Sequence, residues 1–322
     1  MTIDTIATLV VPQRAVPAPE SLSPEVRATL STPTISNPAW PDADDTAGWR
    51  ELIANMDAIG TAGLATMAGS SDAVVDELGA GGGRVFRIRP ASVPDDAVYL
   101  DFHGGALLWG GGAGARHIGV ITSRMTNSEV WSVDYRMPVD HPFPAGLDDG
   151  VAAYRALLGV RDPELIIVGG ASAGGNLAAA TVLRARDEGL PLPAGVVLLT
   201  PEIDLTESGD TFNTLMGIDA GLTSRLMPAN LRYAAGADLR DPYVSPLFGD
   251  FTRGFPPTFL RSGTRDLFLS NTVLMHAALR DAGISADLHV QEAGTHIGIT
   301  AGPEAAAAGR RLTEFLAACW GR

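Results

Sequence analysis

The sequence predicts an α/β fold in which a mostly parallel sheet carries helices on both faces. Three observations predict it. From residue 73 onward, short apolar runs alternate with longer helix-like runs, the rhythm of parallel strands joined by crossover helices. That region opens on a glycine cluster, Gly79-Ala80-Gly81-Gly82-Gly83, set between two β-rich runs, which reads as a hairpin and adds an antiparallel edge. Gly170-Ala171-Ser172-Ala173-Gly174 then sits between an apolar run, Leu165–Val168, and a helix-like run from Asn176 to Leu183. Strand, G-x-S-x-G, helix is the setting of a strained turn that lifts a serine clear of a sheet.

The elements follow in order. Residues 1–72 form an N-terminal cap segment. Pro12, Pro17, Pro19, Pro24, Pro33, Pro38 and Pro41 break any long element in its first part. Short helices fit Pro24–Leu30, where Ser23-Pro24-Glu25 supplies a cap, a first-turn proline and an early acid, and Thr46–Met67. The sheet region covers 73–200 and 255–322. Its strands are Ala73–Leu78, Arg84–Arg89, Ala97–Phe102, Glu129–Asp134, Leu165–Val168, Val196–Leu199, Thr258–Ser262 and Ala286–Val290. Its helices are Arg116–Thr126, Gly146–Leu158, Gly174–Glu188, Leu269–Ala282 and Pro303–Ala318. Residues 201–254 break the rhythm: they hold a helix-like piece near Ser224–Ala235 but no convincing strand. An excursion of this length is usually functional, and it reads as a cap insertion over the strand ends.

Composition narrows the function. The chain has 322 residues, 46% hydrophobic and 19% charged, as an ordinary globular protein does. Its 37 acidic against 23 basic residues give a net charge of −14, which argues against nucleic acid and anionic membranes as partners. The single cysteine, Cys319, rules out an internal disulfide. No apolar run is long enough to span a bilayer, and Ile6–Val11 is too short for a secretory signal, so a cytoplasmic location is the expectation.

Acyl transfer through serine needs a base, an orienting acid and oxyanion donors. On this kind of sheet the chain order is serine, acid, histidine. Asp266 lies just past the strand Thr258–Ser262, and His296 just past the last strand. Both fall at strand C-terminal ends, where open α/β sheets place their ligands. The other histidines fit worse: His276 and His289 are inside regular elements, and His117 and His141 precede the serine. Asp266 has rivals in Asp238, Asp241, Asp204 and Glu202, and its place after the penultimate strand favours it. The small residues of His103-Gly104-Gly105-Ala106, after the strand ending at Phe102, allow backbone N–H groups near a developing oxyanion; a further donor is the N–H of Ala173. Gly110-Gly111-Gly112-Ala113-Gly114 is not a phosphate loop, because no Gly-Lys-Ser/Thr follows.

With these segments in view, the chain resembles the hormone-sensitive-lipase-like family of α/β-hydrolases, the bacterial carboxylesterases with a His-Gly-Gly-Gly motif. Five segments carry the resemblance: His103-Gly104-Gly105-Ala106; Asp134-Tyr135-Arg136-Met137-Pro138 with His141-Pro142-Phe143-Pro144-Ala145; Gly170 to Asn176; Asp266-Leu267-Phe268-Leu269; and the His296 loop. The N-terminal part is similar to the cap of the monoterpene-lactone-hydrolase-like members. The resemblance implies an α/β-hydrolase fold with a helical cap. It also implies Ser172 as nucleophile, His296 as base and Asp266 as orienting acid. The N–H groups of Gly105, Ala106 and Ala173 become oxyanion donors, and His103 a support of their loop. Ester hydrolysis on short to medium acyl chains follows, with no metal or organic cofactor. The partner is then a small-molecule ester or lactone, and a homodimer is in keeping with the family. Lactone, carbonate or amide cleavage on the same triad is the alternative, and a silent small-molecule binder on the same scaffold is a further one. Three departures stand out: Ala106 where the motif has glycine, Ala171 where Asp or Thr is usual, and Ser270-Asn271 in place of an acidic pair. Phe212, Leu215, Met216, Leu222, Leu226, Met227 and Tyr233 are candidates for an apolar pocket or for the core of the cap.

Overall fold

The computed structural model describes residues 9, 13, 15–30, 38–93 and 96–322. The expected breaks at Pro12 and Pro33, and the Ile6–Val11 stretch apart from Leu9, lie outside the described residues. Eight strands form one sheet: β1 (Val74–Ala80), β2 (Gly83–Arg89), β3 (Val98–Phe102), β4 (Glu129–Asp134), β5 (Ile166–Ala171), β6 (Gly195–Leu199), β7 (Thr258–Gly263) and β8 (Ala286–Gln291). Their order is β1-β2-β4-β3-β5-β6-β7-β8. β1 and β2 pair antiparallel, with Ala80 opposite Gly83. Between them Gly81 takes φ +61°, a conformation that a tight two-residue hairpin needs and glycine adopts freely. β2 runs antiparallel to β4, and every later pairing is parallel. β3 and β6 are buried along their whole length, which is why β6 reads as an unbroken apolar run and β3 as one interrupted only by Asp101, rather than as alternation.

The helices are α1 (Pro24–Thr29), α2 (Thr46–Ala68), α3 (Ala113–Thr126), α4 (Ala145–Leu158), α5 (Ala173–Asp187), α6 (Thr211–Thr214), α7 (Met227–Ala234), α8 (Leu269–Asp281) and α9 (Gly302–Trp320). One core lies between the sheet and α4, α5 and α8, around Leu147, Val151, Tyr154, Leu177, Leu183 and Met275. The opposite core joins the sheet to α3 and α9, through Val120, Leu312, Phe315 and Trp320. A third cluster brings Trp49 of α2, Ala106, Leu108, Phe212, Leu222, Leu226 and Phe268 together. Trp49 is only 1% exposed, and Asp45 caps the start of its helix by accepting from the Gly48 N–H at 2.9 Å. α2 and the segment between β6 and β7 are thus packed against the same loops that follow β3 and β7.

The chain leaves β3 to form β4, then returns to form β5 on the other side of β3. This reversal opens a crevice at the C-terminal ends of β3 and β5. The strand read as Leu165–Val168 is Ile166–Ala171. Leu165 ends a short 3₁₀ turn, and Gly169 and Gly170 stay in the sheet rather than starting the turn. Side chains there would overlap the Tyr99 hydroxyl and the backbone of Gly174.

Candidate active site

Ser172 follows β5 immediately and precedes the first turn of α5. Its backbone takes φ +56° and ψ −124°, which only a tightly held L-residue sustains. The holding contacts are its N–H to the Leu199 carbonyl at 2.9 Å, and its carbonyl accepting from the N–H groups of Gly175 at 2.9 Å and Glu202 at 3.1 Å. A Cβ on Gly170 would strike the Phe102 carbonyl and Gly174, and one on Gly174 would strike the Phe102 carbonyl. Both glycines are therefore required by close backbone approach.

Three side chains from three strand ends meet here. The Ser172 hydroxyl lies 2.9 Å from Nε2 of His296, and Nδ1 of His296 lies 3.2 Å from Oδ1 of Asp266. A carboxylate only accepts, so Nδ1 is the donor and Nε2 is left to accept from the serine hydroxyl. Asp266 is fully buried; the Phe268 N–H reaches its Oδ1 at 2.9 Å, and the Ser262 hydroxyl its Oδ2 at 2.6 Å. Phe268 also sets the edge of its ring against the imidazole, with centroids 4.7 Å apart. Burial works against a charged His296. The hydrogen bond and charge of Asp266, joined by the charge of Asp219, outweigh it and hold the imidazole above its ordinary value of 6.5. The loops after β7 and β8 are laced together by Thr264 N–H to the Gln291 carbonyl (3.0 Å) and Arg265 N–H to the Gly294 carbonyl (2.9 Å).

None of the rival carboxylates or imidazoles is hydrogen-bonded to Ser172 Oγ or to the His296 ring. The Asp204 carboxylate accepts from Thr206 and Ser208 in its own turn, and Asp238 and Asp241 accept from Arg240 and Tyr243 N–H groups. Glu202 is buried, and burial, then the charge of Glu207, pushes its carboxyl up to about 8. His276 is on α8, His289 on β8, His117 on α3 and His141 on an exposed loop.

The loop after β3 lies against the serine: a Cβ on Gly104 would sit 3.5 Å from that of Ser172. Tyr135 supports the loop by donating its hydroxyl to the His103 carbonyl at 2.8 Å, and it stacks on the His103 ring at 4.1 Å. Asp57 of α2 accepts from the Gly110 N–H at 2.6 Å, and Asp134 from the Gly112 N–H at 2.7 Å. Among the described residues, none accepts from the N–H groups of Gly105, Ala106 or Ala173. Ala106 takes φ +51°. A left-handed alanine costs about 1 kcal/mol. Burial of its methyl in the cluster with Trp49 and Leu222 returns about 0.8 kcal/mol, so alanine replaces the motif's glycine at little net cost and its N–H is retained. Ala171 is exposed and its side chain offers no polar atom. Ser270 bonds to α6 instead of carrying charge, its hydroxyl accepting from the Thr211 N–H at 3.0 Å.

Gly105 is the least replaceable residue of the loop. It takes φ +129°, and a Cβ would overlap the Trp109 carbonyl. Its own carbonyl accepts from the Leu108 and Trp109 N–H groups at 2.9 and 3.0 Å. Gly105→Ala is expected to open this turn and lower kcat for p-nitrophenyl acetate by about 10²-fold or more, with far-ultraviolet circular dichroism unchanged. Turnover within threefold of wild type would show that the turn is not part of the site.

A cavity of about 280 Å³ opens over Ser172 and His296, lined also by Gly105, Ala106, Trp40, Met56, Trp109, Gly221, Leu222 and Leu226. Of the apolar residues that sequence reading brings forward, Leu222 and Leu226 line it. Met227 lines an adjoining groove of about 630 Å³ that shares Trp40. Phe212 and Leu215 belong to the cluster around Trp49, Tyr233 packs on Phe143, and Met216 is exposed. Trp40 and Met56 carry no sequence signal for a pocket, because they reach it only through the packing of α2 and its flanks, whereas Trp109 comes from the loop after β3. Asp219 carries none either, although its carboxylate touches both the Asp266 and the His296 loops.

This arrangement recurs in known proteins. A family described as having the alpha/beta hydrolase fold matches residues 99–299, more than half of the chain. An acetyl-hydrolase of Streptomyces hygroscopicus is 35% identical over 198 residues, covering 61% of this chain and 66% of that protein. An esterase of Acinetobacter venetianus is 33% identical over 54% of this chain and 58% of its own length. The chain thus spans about three fifths to two thirds of these two relatives. Among solved structures, an esterase called E25 superposes with a TM-score of 0.87 at 33% identity, covering 96% of this chain and 98% of that one. An esterase from the bacterial hormone-sensitive lipase family superposes with a TM-score of 0.77 at 30% identity, covering 94% and 100%. With sheet order, serine turn and overall superposition in agreement, the chain belongs to the α/β-hydrolase fold family, within the bacterial hormone-sensitive-lipase family.

Proposed function

We propose that the protein is a carboxylesterase that cleaves esters of short to medium acyl chain through a covalent acyl-enzyme. One observation carries this reading: the unbroken hydrogen-bond chain Ser172–His296–Asp266 at the floor of a cavity walled by the Gly105-Ala106 turn. In the proposed cycle His296 Nε2 takes the serine proton as Oγ attacks the ester carbonyl. Asp266 holds the imidazole orientation and stabilises the imidazolium. The N–H groups of Gly105, Ala106 and Ala173 receive the oxyanion, and the positive end of α5 faces it. His296 then gives its proton to the departing alkoxide. Water attacks the acyl-serine with His296 again as base, and His296 returns that proton to Ser172 Oγ as the acid leaves.

The cavity, at the small end of ligand-site volumes, supports the acyl range. The names of the relatives, acetyl-hydrolase and esterase, point the same way. Residues 1–72 and 201–254 are proposed as the cap. Among the described residues no helix is long and apolar enough to cross a membrane. A cytoplasmic site of action and a homodimer complete the reading, with fractionation and light scattering as their tests. The reading itself is tested by a panel of p-nitrophenyl acetate, butyrate, octanoate and palmitate, with a lactone and an anilide alongside. The expected kcat/KM peaks at or below octanoate and collapses at palmitate. Faster turnover of the lactone or the anilide would replace the ester reading.

A further inference from the structure

The carboxylate of Asp219, in the segment between β6 and β7, is fully buried. Its Oδ1 accepts from the N–H groups of Gly221 at 2.8 Å and Leu222 at 3.2 Å. Its Oδ2 accepts from the Leu267 N–H at 2.8 Å, and the His296 N–H lies 3.1 Å from both oxygens. One side chain therefore ties together the residue after Asp266, the backbone of His296 itself, and two residues that wall the substrate cavity. A carboxylate is the only side chain of this size that accepts on both ends; an amide of the same shape would turn a donor toward one of these N–H groups. The loops it joins are also tight: a Cβ on Gly221 would press on Ile297, next to His296.

We propose that Asp219 is a positioning residue that fixes His296 and Asp266 relative to each other and to the Gly221-Leu222 wall. This rests on the reading of Ser172, His296 and Asp266 above, and adds to it a residue contributed by the cap insertion. Asp219 makes no contact with the serine and acts through the backbone of the two loops.

Its charge supplies a readout that a purely structural strut lacks. Among the described residues, the charged groups facing His296 are Asp266 and Asp219, with Arg261 of β7 acting on Asp266 from behind. The base must be neutral to take the serine proton, so the acid limb of kcat/KM reports the imidazole. Against burial, the carboxylates of Asp266 and Asp219 raise the imidazole, so the wild-type limb is expected above the ordinary imidazole value. Removing the Asp219 charge withdraws support from the imidazolium, so the limb moves down.

The test is Asp219→Asn in the full chain, assayed with p-nitrophenyl butyrate from acid to neutral pH. Expected is a loss of about ten- to a hundredfold in plateau kcat/KM, the order that a small misplacement of reacting groups produces, together with an acid limb below that of the wild type. Wild-type kcat/KM overturns the proposal, and so does a loss with the acid limb unmoved. Asp219→Glu keeps the charge but lengthens the arm. It is expected to lose kcat/KM while the limb stays near the wild-type position, and it decides the matter if the asparagine variant does not fold; wild-type turnover in it overturns the proposal. Ser172→Ala, run in parallel, reads the underlying mechanism separately, since its loss does not depend on Asp219.

Discussion

Ser172→Ala is expected to lower kcat for p-nitrophenyl butyrate by roughly 10⁴- to 10⁶-fold, the loss that follows when the nucleophile of such a unit is removed. What survives is the contribution of the oxyanion donors and the cavity. A fluorophosphonate probe should label the wild type and leave the variant unlabelled. The fold should not suffer. The substitution keeps Cβ, so the strained backbone at φ +56° is unchanged, and it removes one hydroxyl at 2.9 Å from the imidazole. Ser172→Gly separates function from strain. An L-residue in this region costs about 1–3 kcal/mol, and glycine restores about 0.5–1 kcal/mol less than that because of its greater chain entropy. The glycine variant should therefore be inactive and yet melt at a temperature about 2 °C higher. An alanine variant that turns over at the wild-type rate, or a wild type that no probe labels, would remove Ser172 from the mechanism.

The sheet was legible because each strand announces itself locally. Glu129–Asp134 has the same limits in sequence and structure, and Thr258–Ser262 extends by one residue. The strand before the serine was read short because Gly169 and Gly170 resemble turn residues. They are glycine for another reason, the Tyr99 hydroxyl and the α5 backbone lying where side chains would go. The three residues of the hydrogen-bond chain were legible through chain order and their places after strands. Asp219 was not. Its partners Leu267 and His296 are 48 and 77 residues away, and nothing in Ile218-Asp219-Ala220-Gly221 records them. Trp40 and Met56 were hidden for the same reason: the N-terminal segment meets the serine only in three dimensions. The fate of Ala106 also needed the structure, since its cost depends on a φ value that sequence does not state.

Asp266→Asn is expected to keep the fold and lower kcat about 10³-fold, and the hydrogen bonds say why the loss takes this form. Asparagine has one oxygen and one NH₂. The oxygen belongs at the Oδ1 position, because the Phe268 N–H and the His296 Nδ1–H both need an acceptor there. The NH₂ then faces Ser262, whose hydroxyl can turn from donor to acceptor. The acceptor that Nδ1–H needs is kept, so the imidazole keeps the tautomer that leaves Nε2 free for the serine. What is lost is the negative charge beside a developing imidazolium. At about 4 Å and an effective dielectric of about 20 that interaction is worth roughly 4 kcal/mol, or about 10³-fold in rate. The acid limb of kcat/KM should fall with it, because Asp266 is one of the two charges that hold His296 above 6.5. If the amide instead turned its NH₂ toward Nδ1, the proton would move to Nε2, and the loss would approach 10⁴-fold. Activity within tenfold of wild type would show that Asp266 does not orient the base.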